Sequence, residues 1–399
     1  MGSQGLRKQV QSLLDRAGVE LDGTRPWDPA IHDQRFFARV LSQGSLGFGE
    51  SYMDGWWDCE RLDQFVERLK RARLDRAVRA RPPLWNLLKA KVLNLQSRAR
   101  AFEIGERHYD LGNDLYEAML DRRMIYTGGV WDGATDLDTA QERKLERVAR
   151  KLKLRPGQRV LDIGCGWGGT AKYLAENHGV HVVGVTVSGE QQRHAQELCR
   201  DLPVEIRLCD YRDVHDTFDR VVSLGMIEHV GQRNYRTYFD VVQRCLRDEG
   251  LFVLQTIGAS EAEPEPDPWI ERYIFPNSIL PSAKRVGDAF GDRMVLEHWE
   301  NFGPHYDRTL MAWHENFERA WPALRDRYDE RFHRMWRFYL LSCAGAFRSR
   351  AIQLWQMVLS PEGVVGGYRF DPPRSERLEE GQVESGASLV REAQVGADV

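Results

Sequence analysis

Two rhythms of apolar and polar positions organise the middle of the chain. Residues 160–163, 181–187, 204–208, 220–224 and 251–257 are short, mostly apolar runs, the pattern of buried strands. Residues 139–153, 170–176, 189–200 and 235–247 place their apolar positions at helical spacing between or ahead of those runs. Strands alternating with helices predict an α/β architecture, a doubly wound, mainly parallel sheet. Further on, residues 307–320 and 331–350 read as helices rich in Trp, Phe and Tyr, and 353–359 as a last strand.

The flanks have a different texture. Residues 1–66 read as a small helical, turn-rich module. Within it the glycine- and aromatic-dense stretch from Ser45 to Trp57 is expected to be a loop packed by its own rings, or a lid or lipid-facing surface. Residues 260–310, proline-rich at Pro264, Pro266 and Pro268, read as an insertion. From Asp371 the chain holds seven acids, three bases and almost no large apolar residue, which predicts disorder.

The first strand of the central pattern runs into Asp162-Ile163-Gly164-Cys165-Gly166-Trp167-Gly168-Gly169 and then into a helix. Strand, glycine turn and helix are how an open α/β sheet builds a nucleotide pocket at the carboxyl ends of its strands. Gly164-x-Gly166-x-x-Gly169 fits a dinucleotide fingerprint, while Asp162-x-Gly164-x-Gly166-x-Gly168 fits the first motif of S-adenosylmethionine-dependent methyltransferases. A dinucleotide fold also needs an acid at the end of its second strand to hold the ribose. Here that strand ends Thr186-Val187-Ser188-Gly189, so the methyltransferase reading is favoured.

Composition narrows the classes. With 42% hydrophobic residues the chain can bury a large core, and a net charge of −4 argues against a nucleic-acid partner. Six cysteines are scattered with no CxxC pair, so neither a metal site nor a disulfide framework is expected, and a reducing cytoplasm is the simpler setting. No stretch approaches the apolar length of a transmembrane helix. Residues 68–100, however, hold eleven bases against one acid, with Leu84, Leu88, Val92 and Leu95 at helical spacing and Trp85 beside them. A basic amphipathic segment of this kind predicts contact with a membrane surface.

Several further motifs join the glycine loop: His108-Tyr109-Asp110-Leu111-Gly112-Asn113, Gly225-Met226-Ile227-Glu228-His229-Val230-Gly231, Asp267-Pro268-Trp269-Ile270 with Tyr273-Ile274-Phe275-Pro276, and Cys343-Ala344-Gly345-Ala346-Phe347-Arg348. Together they resemble bacterial cyclopropane-fatty-acyl-phospholipid synthases over residues 1 to about 370. The resemblance implies transfer of a methyl group from S-adenosylmethionine to the cis double bond of a phospholipid acyl chain, then ring closure by loss of a proton. A relative that methylates without closing a ring is the competing outcome.

The same resemblance assigns roles. Tyr126, Thr127, Asp162, Gly164, Gly166 and Gly168 are expected around the cofactor, with Thr186 and Gln191 after the second strand and Asp210 and Tyr211 after the third. In the family a bicarbonate ion acts as base, and Glu228, Tyr306 and the Ile257 backbone match three of its anchors. Its cysteine is replaced here by Gly128 and its histidine by Gln255, which can donate a hydrogen bond but cannot titrate. Cys343 lies in a motif sometimes regarded as catalytic, and reads as a small packing residue near the pocket. The implied organisation is a helical, basic, lipid-interacting domain (1–100), a methyltransferase domain (101–370) and an acidic tail (371–399). A peripheral enzyme on the inner face of the membrane, assembled as a homodimer, completes the expectation.

Overall fold

The computed structural model describes residues 2–74, 112–259 and 267–372. Most of the basic run, the His108 motif and most of the acidic tail lie outside these residues, as does the expected boundary near residue 100.

Seven strands form the central sheet: β3 (Arg159–Ile163), β4 (His181–Thr186), β5 (Val204–Leu208), β6 (Phe218–Leu224), β7 (Leu246–Ala259), β8 (Val295–Asn301) and β9 (Ile352–Ser360). They follow a short antiparallel bridge between β1 (Ala30–Ile31) and β2 (Trp57–Asp58). The order across the sheet is β5-β4-β3-β6-β7-β9-β8, and only β9 runs against the rest. Successive residues of β3 feed opposite apolar layers. Val160 joins Val182, Val222 and Val253 on one face, whereas Leu161 and Ile163 join Val183, Val221 and Phe252 on the other. Such burial on both faces explains the near-continuous apolar runs. Chain order reverses at β3, so a crevice opens at the carboxyl ends of β3 and β6, where α/β sheets bind their ligands.

The glycine loop turns the chain from β3 into the helix Gly169–His178. Gly168 sits at φ +87°, and a Cβ there would lie 2.8 Å from that of Ala195. This is a position where backbone conformation and packing both demand glycine.

The N-terminal helices Ser3–Asp15, Arg35–Gln43, Ser45–Met53 and Leu62–Arg71 surround Trp57, which is fully buried. Its ring stacks on Phe48 at 4.6 Å and meets Phe338 at 6.4 Å. Phe338 belongs to Glu330–Arg348, which pairs with the helix Gly303–Leu324, so the N-terminal module and the C-terminal helices share one apolar core. Arg348 clamps the seam by pairing with Asp63 on one side and Asp307 on the other.

Two expectations change. The stretch from Ser45 is a buried helix rather than a loop or an exposed lid: a Cβ on Gly49 would lie 2.4 Å from the Trp269 ring. Residues 267–310 are integral to the fold, contributing the helices Pro268–Tyr273 and Ala283–Phe290 and the edge strand β8.

Candidate active site

One cavity lies at the carboxyl ends of β3, β6 and β7, with about 980 Å³ of empty volume partly open to solvent. Three groups of residues build it.

The first is the glycine loop. Asp162, Gly164, Gly166, Trp167 and Thr170 line the cavity. A Cβ on Gly166 would touch nothing within 4 Å, so the cradle above it is open for a ligand to approach the backbone. Asp162 is 2% exposed, and burial pushes its carboxyl up to about 7 against the pull of Lys144. Its Oδ2 has no hydrogen-bond partner among the described residues, as expected of a group that meets a polar ligand.

The second is the segment Met124-Ile125-Tyr126-Thr127, tied down on every side. Asp121 accepts from the Ile125 N–H at 2.9 Å, Gln141 donates to the Thr127 carbonyl at 2.7 Å, and Lys144 donates to the Thr127 hydroxyl at 2.7 Å. Burial pulls Lys144 down to about 7 while Asp121 and Asp162 oppose it. The Tyr126 hydroxyl meets that of Tyr339 at 2.9 Å, and burial raises its phenol well above the ordinary range. Tyr126, Phe275 and Tyr306 line the cavity with aromatic side chains, a class of group that attracts a cation.

The third group is polar and deep. Glu228, on the short helix Ile227–Val230, accepts the Ile257 N–H through Oε1 at 2.6 Å, while Oε2 is buried with no partner among the described residues. Burial pushes this carboxyl up to about 7 against the pull of the Ile257 amide. Gln255 is 1% exposed; its Oε1 accepts from Gln356 at 2.8 Å and its Nε2 is buried without a partner among the described residues. His229 also lines the cavity, and burial pulls its imidazole down to about 4, so it is neutral at physiological pH.

The cavity thus brings together Tyr126, Thr127, Asp162, Gly164, Gly166, Gln191, Glu228, Gln255, Ile257 and Tyr306. Gly128 stands just behind it, where a Cβ would lie 2.9 Å from both the Tyr306 ring and Leu354. Thr186 acts at one remove, its hydroxyl donating to Gln191 Oε1 at 2.8 Å. Gly168 shapes the loop, and Asp210 is engaged elsewhere, capping the turn Tyr211–Asp213 and pairing with Arg212 at 2.5 Å. Neither Asp210 nor Tyr211 lines this cavity. Cys343 packs against the aromatic core away from the lining, and burial pushes its thiol up to about 12, which keeps it protonated.

Sequence reasoning passed over Lys144, His229, Phe275, Ser278, Leu280 and Leu354. His229 and Phe275 belong to motifs that were legible; Lys144 resembles any solvated helix lysine, and only the sheet's packing buries it.

A glycine loop at the switch point of a doubly wound sheet, with a buried carboxylate beneath it whose Oδ2 has no partner among the described residues, defines an S-adenosylmethionine-dependent methyltransferase. The family described as mycolic acid cyclopropane synthetase matches residues 96–357, and the chain belongs to that family. The cyclopropane-fatty-acyl-phospholipid synthase of Escherichia coli (strain K12) is 53% identical over 361 residues, which cover 90% of this chain and 94% of that protein. A tuberculostearic acid methyltransferase of Mycobacterium tuberculosis is 34% identical, covering 84% of this chain and 83% of that protein. Among solved structures, the mycolic acid cyclopropane synthase CmaA1 complexed with SAH and CTAB superposes with a TM-score of 0.61 at 29% identity, over 65% of this chain and 98% of that one. The cyclopropane synthase MmaA2 from Mycobacterium tuberculosis gives the same TM-score, 0.61, at 28% identity and with the same coverage.

Proposed function

We propose that this chain methylates the cis double bond of a phospholipid acyl chain and closes the product to a cyclopropane, with Glu228, Gln255, Ile257 and Tyr306 as the catalytic end of the cavity. The observation that carries this reading is that Glu228 and Gln255, each with a buried polar atom (Oε2 and Nε2) that has no partner among the described residues, line the same cavity as the glycine loop.

When bound, S-adenosylmethionine supplies an electrophilic methyl group. Asp162, Gly164, Gly166 and Gln191 line the cavity where it would be held, with Tyr126 and Thr127 across from the loop and Gly168 and Thr186 supporting them. Asp210 and Tyr211 remain candidates for the adenine end, on the strength of their place after β5. An alkene is a weak nucleophile, so the enzyme's task is to hold it in line with the methyl in a dry site. Tyr126, Phe275 and Tyr306 then surround the cation with aromatic rings, and the Tyr126 phenol, raised by burial, stays protonated and offers it no phenolate. The ring closes as one C–H bond of the transferred carbon breaks. Its electron pair forms the second ring bond, and the proton leaves to a base held between Glu228 and Gln255.

Bicarbonate fits that pair. Its O–H would be accepted by Glu228 Oε2, and an oxygen would accept from Gln255 Nε2, an amide donor in place of the family's imidazole. Gly128 contributes backbone only. The departures at Gly128 and Gln255 are also what favour the second reading, methylation without ring closure. Incubating the enzyme with labelled S-adenosylmethionine and unsaturated phospholipid vesicles tests the reading: label in an acyl chain that has lost its double bond supports it, and label in a chain that keeps one supports the alternative.

Contact with an anionic membrane surface is supported by the charge and spacing of residues 68–100. Assembly as a homodimer rests on the family resemblance alone.

A further inference from the structure

β7 and β9 lie side by side in antiparallel register, with Gln255 directly opposite Gln356. Both carboxamides are buried, and so is Lys151, at the end of the helix Leu137–Lys151. Three fully buried polar side chains in a row are expensive unless each is satisfied. Two hydrogen bonds link them in sequence. Lys151 Nζ donates to Gln356 Oε1 at 2.6 Å, and Gln356 Nε2 donates to Gln255 Oε1 at 2.8 Å. Gln255 Nε2 then ends the row, buried and without a partner among the described residues, on a residue that lines the cavity.

The direction of this row follows from chemistry. An ammonium only donates. Gln356 must therefore turn its oxygen to Lys151, which turns its NH₂ toward β7. Gln255 must in turn present its oxygen to Gln356, which leaves its NH₂ facing the cavity. A carboxamide alone has no preference between its two ends, whereas one anchored to a lysine has. Lys151 is itself held by Glu300 at 2.5 Å, and Glu300 also pairs with Arg147. Burial pulls Lys151 down to about 8 while Glu300 opposes it, so the ammonium prevails at neutral pH.

We infer that Lys151 and Gln356 are positioning residues: with Gln255 they form a one-way hydrogen-bond relay that presents the Gln255 amide to the cavity as a fixed donor for an anion. The inference rests on the reading of Glu228 and Gln255 as the seat of an anionic base. It gives the replacement of a titrating imidazole by glutamine a physical form, a donor that needs no proton and is oriented from behind.

The test is Gln356→Glu, nearly isosteric. The new carboxylate still accepts from Lys151 but has no N–H for Gln255, so Gln255 must reverse, giving its NH₂ to residue 356 and its oxygen to the cavity. Two readouts follow in the full chain. In protein labelled with ¹⁵N-glutamine, the side-chain NH₂ pair assigned to Gln255 by its loss in Gln255→Leu should shift in Gln356→Glu. In degassed buffer with added bicarbonate, the apparent bicarbonate constant should rise about ten-fold or more, the scale of one hydrogen bond to a charged group. S-adenosylmethionine affinity should stay within about two-fold. Gln356→Met repeats both measurements without a new charge, in case the glutamate variant does not fold. An unmoved NH₂ pair in a folded variant overturns the relay. An unchanged bicarbonate constant beside a shifted NH₂ pair overturns the positioning role. If the native enzyme runs at full rate without bicarbonate, the anion reading itself fails, and the relay is then judged by the NH₂ pair alone.

Discussion

The backbone N–H of Ile257 donates to Oε1 of Glu228 at 2.6 Å, while Oε2 of the same cavity-lining carboxylate is buried with no partner among the described residues. Glu228→Gln keeps the bond to Ile257 but cannot take up a proton. Ring closure should fall by about 10²-fold or more, the usual scale of a general acid–base contribution, with S-adenosylmethionine affinity within about two-fold. Single-turnover assays beside calorimetry check this.

The same residue makes a pH prediction of opposite sign for stability. The Glu228 carboxyl is raised from 4.5 to about 7 by burial. Between those values the native protein holds a proton that the unfolded chain has released, so stability falls as pH rises through that window and the penalty is complete above it. Asp162, raised from 3.8 to about 7, adds to the same slope. Glu228→Gln should therefore stabilise the cofactor-free protein at pH 8 by about 2 kcal/mol, and should flatten its melting profile between about pH 5 and 7. Thermal melts across that range decide it.

Gly166 has φ +55°, and the space a side chain would enter is open. Gly166→Val puts a β-branched residue into the left-handed region and a side chain into the open cradle proposed for the cofactor. Calorimetry should show S-adenosylmethionine binding weakened about ten-fold or more, with Gly166→Ala intermediate. Native affinity in the valine variant would mean the cofactor does not lie over this loop.

Restoring the family's cysteine at 128 should not be benign in this chain. Its Cβ would come within 2.9 Å of the Tyr306 ring and of Leu354, so one of them must give way. Gly128→Cys is expected to cost about 1–3 kcal/mol in stability, as overpacking does, and to lower the rate by moving Tyr306. A melting temperature equal to the native one would show that the wall yields freely.

Membrane capture should be electrostatic. Replacing Arg76, Arg79 and Arg81 with glutamine should weaken binding to anionic vesicles, and raising salt should weaken native binding steeply, since exposed charges are screened within about 8 Å at physiological ionic strength. Vesicle flotation at two salt concentrations measures both.

Much of this arrangement was legible from residues alone, because it depends on signals that sequence carries locally. The runs that became β3, β4, β6, β7 and β9 are apolar because the sheet is covered on both faces there, and Asp162 to Gly169 announces its turn. β8 was invisible for the converse reason: it is an edge strand, and Val295 and Leu296 are 43% and 39% exposed, so no apolar run marks it. The helix Ser45–Met53 was hidden by glycines that serve close approach rather than a turn, with Gly47 against the Arg39 carbonyl and Gly49 against Trp269. Lys144, Lys151 and Gln356 gave no signal either, because polar side chains on a helix or a strand read as solvated until long-range packing buries them. Gln255 was found only through the resemblance; its orientation needed the β7–β9 register.

The central claim is that the cation formed on the acyl chain closes to a ring by losing a proton from the transferred carbon. Supplying S-adenosylmethionine with a trideuterated methyl and analysing the phospholipid product by mass spectrometry and NMR tests it in one step. The account predicts a CD₂ group within a cyclopropane, with the olefinic signals gone and one deuterium lost to solvent. A product that keeps the intact CD₃ group beside a surviving double bond would contradict it.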